Sequence, residues 1–459
     1  MTSIIDSQIF GNVFSSPHMQ AIWSDENRTQ LFLRFEADLA RVQARLNIIP
    51  QRAAEEIAKH CKLEYIDFDE LRRQTEIIGY PVLPVIKQIV ARVNQVEPGL
   101  GEWTHWGATT QDVTDTTVVL QLKDTLRQVE NCLEQIIAAL IELCKKHRST
   151  AMAGRSNLQQ AVPITFGFKM ARLLATFRRH RQRFHEVRSR VLVLQFGGAA
   201  GTLATLTNRS SSPDSQSLAL QCQSLLASEL GLAVPEIAWH TERDALAETA
   251  SLLSLLTCTC AKFTTDLQLL MQTEVGEARE PFVLHRGTSS TMPQKRNPIG
   301  SACVAAMSAS VRALSGAMVE AVVADHERST GPWETEWVVL PQICALSHAC
   351  LRQTTTLLQG IEVDVVAMQR NLALSRGAIV SEAVMMRLGS TLGRQHAHDL
   401  VSELCRRAQA EDRSLRELLM SNGEVASAGW TDKDRELGEL CDPAQYLGLS
   451  EVMVDRVLR

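Results

Sequence analysis

The sequence predicts a nearly all-α chain with a central bundle of very long helices. Gly and Pro are absent from residues 108–153, 168–196 and 246–275 of the 459-residue chain. At about 1.5 Å rise per residue, such segments make helices of roughly 45–70 Å, against a usual length of about 11–12 residues. Leu133, Ile136, Ile137, Leu140 and Cys144 follow the i, i+3, i+4, i+7, i+11 spacing of one buried helix stripe. Strand signals are sparse: aromatic residues make up only 5% of the chain, and few stretches alternate with period two.

The punctuation divides the chain into three helical regions. Residues 1–107 carry turn signals at Pro50, at Gly79 to Pro84 and at Pro98 to Gly101. Residues 108–360 hold the long helices. Residues 361–459 hold shorter ones, broken at Gly377, Gly389, Gly393 and Gly423. Helices longer than their own domain need other helices to cover their apolar stripes, which points to oligomer formation through the bundle.

Hydrophobic residues at 45% and charged residues at 22% are ordinary for a globular protein. A chain of this length buries a sizeable core without difficulty. The net charge of −5 argues against nucleic acid or an anionic membrane surface as a partner. Eleven cysteines lie between Cys61 and Cys441 without framework or zinc-site spacing, as expected of reduced thiols in the cytoplasm. The N-terminus lacks the pattern of a signal peptide. The most apolar stretch is read as residues 250–261, too short to span a membrane.

Five clusters invite a functional reading. Gly287-Thr288-Ser289-Ser290-Thr291-Met292-Pro293-Gln294-Lys295-Arg296-Asn297-Pro298 places hydroxyls, a lysine and an amide just after a glycine. Such a loop suits close backbone approach to a small anion, or a serine whose proton is easier to remove than usual. Trp103 to Asp112 opens the first long helix, with Thr109 or Thr110 as N-cap and Asp112 in the first turn. The free N–H groups there, with these hydroxyls, can also bind a carboxylate. Asp325-His326-Glu327-Arg328-Ser329 is either a charged surface loop or an arginine gripping a substrate carboxylate. The basic run Arg178 to Arg183 lacks stacking aromatics, so a solvated face or interface ion pairs are expected rather than nucleic acid. In the fifth cluster, His396-Ala397-His398, residues i and i+2 of a helix point apart, and no shared metal ion is expected.

The Gly287–Pro298 segment resembles the signature loop of the fumarase/aspartase superfamily. Within it the likeness is to the bacterial 3-carboxy-cis,cis-muconate lactonizing enzymes, or cycloisomerases. It is carried by His105-Trp106-Gly107-Ala108-Thr109-Thr110-Gln111-Asp112, Leu194 to Ala199, Trp239 to Asp244, His326 to Ser329 and Asp442 to Ala444. The resemblance implies a three-domain, all-α chain, a homotetramer with active sites shared between subunits, a polycarboxylate substrate and no cofactor or metal. It implies Ser289 as catalytic base acting as its alkoxide. Lys295 and Asn297 would stabilise the intermediate, and Thr109, Thr110, Gln111, Ser290 and Arg328 would bind substrate carboxylates. His105 becomes a candidate proton donor, as does His240.

One segment departs from the pattern. Many lyases of the superfamily carry Thr-His where Ser156-Asn157 stand, and the lactonizing enzymes carry Trp and His at positions 157 and 160, where this chain has Asn157 and Gln160. Those two residues are expected to line the pocket and set the substrate. A basic amine leaving group needs a general acid; a carboxylate leaving from a lactone does not. The expected reaction is therefore 3-carboxy-cis,cis-muconate cycloisomerisation, with C–N or C–O lyase chemistry releasing fumarate as the alternative. A catalytically silent structural protein is a third reading, against which the intact Ser289, Lys295 and Asn297 argue.

Overall fold

The computed structural model describes residues 3–207 and 213–459. They pack as two compact units, each assembled from separated stretches of chain. The first comprises Met1–Cys132, His180–Cys258 and Ala306–Arg352; the second comprises Leu133–Arg179, Thr259–Ala305 and Gln353–Arg459.

In the first unit, helices Asp25–Arg45, Gln51–His60 and Val82–Val96 bury one continuous core. Its members include Phe32, Leu33, Phe35, Leu39, Ile57, Val85 and Ile89. Phe35 meets Phe196 edge-on at 6.4 Å, a favoured aromatic geometry. The Asp25–Arg45 helix starts where the Ser24 hydroxyl accepts the Asn27 N–H, with Asp25 and Glu26 in the first turn and Arg45 in the last. Each feature suits the helix dipole. Asp67 caps the Phe68–Ile78 helix in the same way, and Gly79 ends it at φ +90°.

The long helices are present: Thr110–Lys146, Phe166–Val191 and Asp244–Met271. The predicted stripe is buried at Leu133, Ile136, Ile137, Leu140 and Cys144. Two further long helices, Ile299–Glu320 and Pro332–Gly360, escaped the Gly/Pro criterion. They contain Gly300, Gly316 and Pro341, yet Leu340, Ile343 and Cys344 around the proline are buried. Tertiary packing outweighs local propensity there. Among the described residues, the Ile299–Glu320 helix is the one that is long and apolar enough, by length and composition, to cross a membrane, with a third of its apolar window buried.

The first Gly/Pro-free segment does not stay helical to its end. After Lys146 the chain turns and forms an antiparallel hairpin, strands Ala151–Ser156 and Gln159–Thr165, in the second unit. Gly167 packs on that turn so closely that a Cβ would stand 2.6 Å from the His147 carbonyl oxygen. Ser156 pairs with Gln159, leaving Asn157 and Leu158 as a two-residue turn with φ +50° and +64°. Such a turn wants Asn-Gly. Asn157 suits it; Leu158, 73% exposed, does not. Leu158→Gly is expected to raise stability by about 1 kcal/mol, read as a shift of the urea midpoint at constant slope.

Candidate functional site

The first unit gathers His105, Thr109, Thr110, Gln111 and Arg328 around one buried carboxylate, Asp112. Its Oδ1 accepts from the Gly197 N–H at 3.0 Å and lies 2.9 Å from His240 Nε2. Its Oδ2 accepts from the N–H groups of Thr109 and Gly198, at 3.0 and 2.9 Å. The carboxylate thus closes the N-terminus of the Thr110–Lys146 helix and fastens it to the glycine-rich 197–201 loop. Arg328 Nη2 donates to Thr109 Oγ1 at 3.2 Å and to the Ala199 carbonyl at 2.9 Å. Arg328, Thr109 and Thr110 stay partly exposed, at the end of a helix. A guanidinium, two hydroxyls and a helix N-terminus can together hold a carboxylate.

Two residues of this cluster point inward. Gln111 is fully buried and its Nε2 donates to the His240 carbonyl at 2.7 Å, while its Oε1 has no partner among the described residues. His240 is buried against Asp112 rather than facing outward. His105 stays partly exposed, in a left-handed conformation at φ +62°. Its Nδ1 stands 2.7 Å from Glu36 Oε1. Burial would lower the His105 pKa, but the Glu36 carboxylate outweighs it and holds the imidazole above its ordinary value.

The serine loop lies in the second unit and is closed at its base. The Gly287 carbonyl accepts from the Asn297 N–H at 2.9 Å and from Asn297 Nδ2 at 3.0 Å. Thr288 bridges to Arg296 above it. Gly287 adopts φ +71°, and a Cβ there would stand 2.4 Å from the Asn297 carbonyl oxygen, so only glycine fits. Ser289 Oγ accepts from the N–H groups of Met292 and Thr291, at 3.0 and 3.3 Å. Two N–H donors on one hydroxyl oxygen favour its anionic form. Lys295 and Ser290 are exposed. The Asn297 side chain is engaged in closing the loop.

The helix that follows is not itself an anion cradle. Glu280, buried, accepts from the N–H groups of Gly300 and Ser301, at 3.2 and 2.7 Å. The chain's own carboxylate fills that helix end. The cradle reading of the loop therefore rests on Lys295 and on backbone donors.

The hairpin lies in the same unit. Arg155 holds the buried Glu277 with two bonds, at 2.8 and 2.7 Å. Asn371 Nδ2 donates to Glu277 Oε1 at 2.8 Å, and Gln160 Nε2 donates to the Asn371 carbonyl at 2.8 Å. Gln160 is thus tied to the scaffold through its amide nitrogen, and its Oε1 has no partner among the described residues. Asn157 stands exposed at the turn.

Outside these clusters, His396 pairs with Glu424 and His398 with Asp399. Among the described residues, no group of three or more His, Cys, Asp or Glu is placed to hold a metal. In the basic run and just beyond it, Arg178 bonds the Val457 carbonyl, Arg188 pairs with Glu130 and Arg190 with Glu248. Sequence reasoning missed Glu36, Glu277 and Glu280. Glu36 lies inside a helix and Glu277 and Glu280 flank the short strand Ala278–Arg279, where no motif marks them.

A family model described as Lyase matches residues 11–313, and one described as Adenylosuccinate lyase C-terminus matches residues 377–457. The chain is 51% identical over 448 residues to trans-aconitate decarboxylase 1 of Mycosarcoma maydis, covering 97% of this chain and 88% of that protein. It is 42% identical over 458 residues to the 3-carboxy-cis,cis-muconate cycloisomerase of Pseudomonas aeruginosa, covering 100% and 97%. Among solved structures, the 3-carboxy-cis,cis-muconate lactonizing enzyme from Pseudomonas putida matches with a TM-score of 0.90 at 40% identity, over 98% of both chains. The signature loop, the long helices and these full-length matches place the chain among the enzymes of the fumarase/aspartase superfamily.

Proposed function

We propose that the protein decarboxylates trans-aconitate or a close unsaturated tricarboxylate, without a cofactor. The observation that carries this reading is the 51% identity to a trans-aconitate decarboxylase along 97% of the chain. The chemistry accords with the site. The bond from the methylene carbon to its carboxylate breaks and CO2 leaves. The freed electron pair forms a new double bond, and the old π pair moves onto the carbon beside a second carboxylate. A proton added to that carbon completes a methylene-substituted succinate. The intermediate is the carboxylate-stabilised carbanion on which the superfamily's chemistry turns.

CO2 leaves uncharged, so no acid is needed on the leaving group. That suits a hairpin with Asn157 and Gln160 where the lactonizing-enzyme pattern has Trp and His. In this direction the Ser289 hydroxyl gives the proton to carbon, and its alkoxide is held by the N–H groups of Thr291 and Met292. Lys295 neutralises the carboxylate on which charge develops, with Asn297 fixing the loop and Ser290 beside it. Thr109, Thr110 and Arg328 hold another carboxylate, with Gln111 supporting the turn from beneath. The homotetramer with shared sites belongs to the same reading. Exposed apolar residues on the long helices, Leu255, Val319 and Val338 among them, would be covered in it.

The second reading is 3-carboxy-cis,cis-muconate cycloisomerisation, favoured by the 42% identity to a cycloisomerase. Its substrate is also an unsaturated tricarboxylate. Purified protein mixed with trans-aconitate is expected to release CO2 and give new vinyl proton signals by NMR. Loss of diene absorbance from the carboxymuconate, with trans-aconitate untouched, would replace the first reading by the second. Release of fumarate from N-substituted aspartates would point to lyase chemistry instead.

A further inference from the structure

Glu36 lies on the Asp25–Arg45 helix beside core residues Phe35 and Ala37, and its side chain is fully buried. A carboxylate there is costly unless a cation meets it. Its Oε1 meets His105 Nδ1 at 2.7 Å, and its Oε2 has no partner among the described residues. His105 is held in the left-handed region that a non-glycine residue rarely adopts. Its side chain is 20% exposed, and the bond to Glu36 is made through Nδ1, not Nε2. Four residues further on stands Thr109, bonded by Arg328.

The surrounding charges favour the same protonation state. Asp112 adds negative potential at His105, and its own oxygens are engaged by three N–H groups and His240. Cys61, near Glu36, is kept as the neutral thiol, chiefly by burial and then by Glu36 itself. Asp38 and Arg41, on the helix that carries Glu36, pair with each other at 2.6 Å.

We propose that Glu36 is a positioning residue: it holds His105 as the imidazolium and leaves Nε2–H as a charged donor for a substrate carboxylate. The inference rests on the tricarboxylate reading for the identity of that carboxylate. The ion pair itself does not depend on that reading.

The test uses the full-length protein labelled at histidine Cε1, with the His105 signal assigned by its loss in His105→Asn. The His105 midpoint is expected to fall by about one pH unit or more in Glu36→Gln, with a smaller fall in Glu36→Asp, the variant to use if the first does not fold. Tricarballylate, a saturated tricarboxylate, should raise the wild-type midpoint. The alkaline limb of kcat/KM for trans-aconitate should move with the midpoint. An unchanged midpoint in Glu36→Gln, or one that tricarballylate leaves in place, overturns the proposal. A midpoint that depends on Glu36 and responds to tricarballylate, in protein that leaves trans-aconitate untouched, keeps the proposal and removes only the decarboxylase reading.

Discussion

Ser289→Ala is expected to lower turnover by about 10²–10⁴-fold or more, the range that a positioned acid or base contributes. The chain should keep its helical circular dichroism and its size on gel filtration. The hydroxyl makes no contact on which the core depends: Ser289 lies in a loop closed below it by Gly287 and Asn297, and its Oγ only receives the N–H groups of Thr291 and Met292. Removing it leaves those donors open to water in a partly exposed segment, a small cost. Loss of kcat with the binding of tricarballylate retained would assign the serine to proton transfer. Full activity in Ser289→Ala would move that role to another group.

The second large effect concerns stability. Arg243 is 2% exposed and lies between two buried carboxylates. It donates to Asp115 at 2.8 and 3.1 Å and to Glu336 at 2.8 and 2.5 Å. Trp333 Nε1 adds a bond to Asp115 at 3.0 Å. Arg243→Ala strands two buried anions, and breaking such a network costs about 3–5 kcal/mol. Unfolding in urea should show the loss directly; a change under 1 kcal/mol, by contrast, would mean that water reaches the carboxylates.

The loss should also depend on pH. Burial holds the Glu336 carboxyl above its ordinary value even with Arg243 beside it. Without the guanidinium it must rise further. A carboxyl whose folded pKa exceeds its unfolded one binds more protons in the folded state, so stability falls as pH rises through that window. The Arg243→Ala variant should therefore regain stability as the pH is lowered from neutral toward the ordinary glutamate range. A variant equally destabilised at both ends of that range would count against the carboxylates as the cause.

The fold was legible wherever one signal acted alone. The Leu133–Cys144 stripe and the Gly/Pro-free segments gave helices because a long amphipathic face has no other way to be buried. The Pro332–Gly360 helix was not legible, since its proline is overridden by packing that only the folded chain supplies. The site divided in the same way. Ser289 and Lys295, and separately Arg328, stand in dense runs of chemistry-bearing residues, which is why the sequence singles them out as candidates. Glu36, Glu277 and Glu280 each support a site residue or loop from far along the chain, and no spacing rule connects them. Asn157 and Gln160 were read as pocket residues because of what they replace. The structure adds what they hold: a left-handed turn at one and a scaffold hydrogen bond at the other.

That hairpin has a consequence for how the enzyme could diverge. Its strands are joined by main-chain bonds, and Arg155, one pair below the turn, is pinned on Glu277. Neither depends on the side chain at position 157, which asks only for a residue that tolerates positive φ. On the pocket role proposed for position 157, mutation there changes the chemistry while the backbone stays in place. A lineage could pass from one tricarboxylate reaction to another through single substitutions at this tip, without an intermediate that fails to fold.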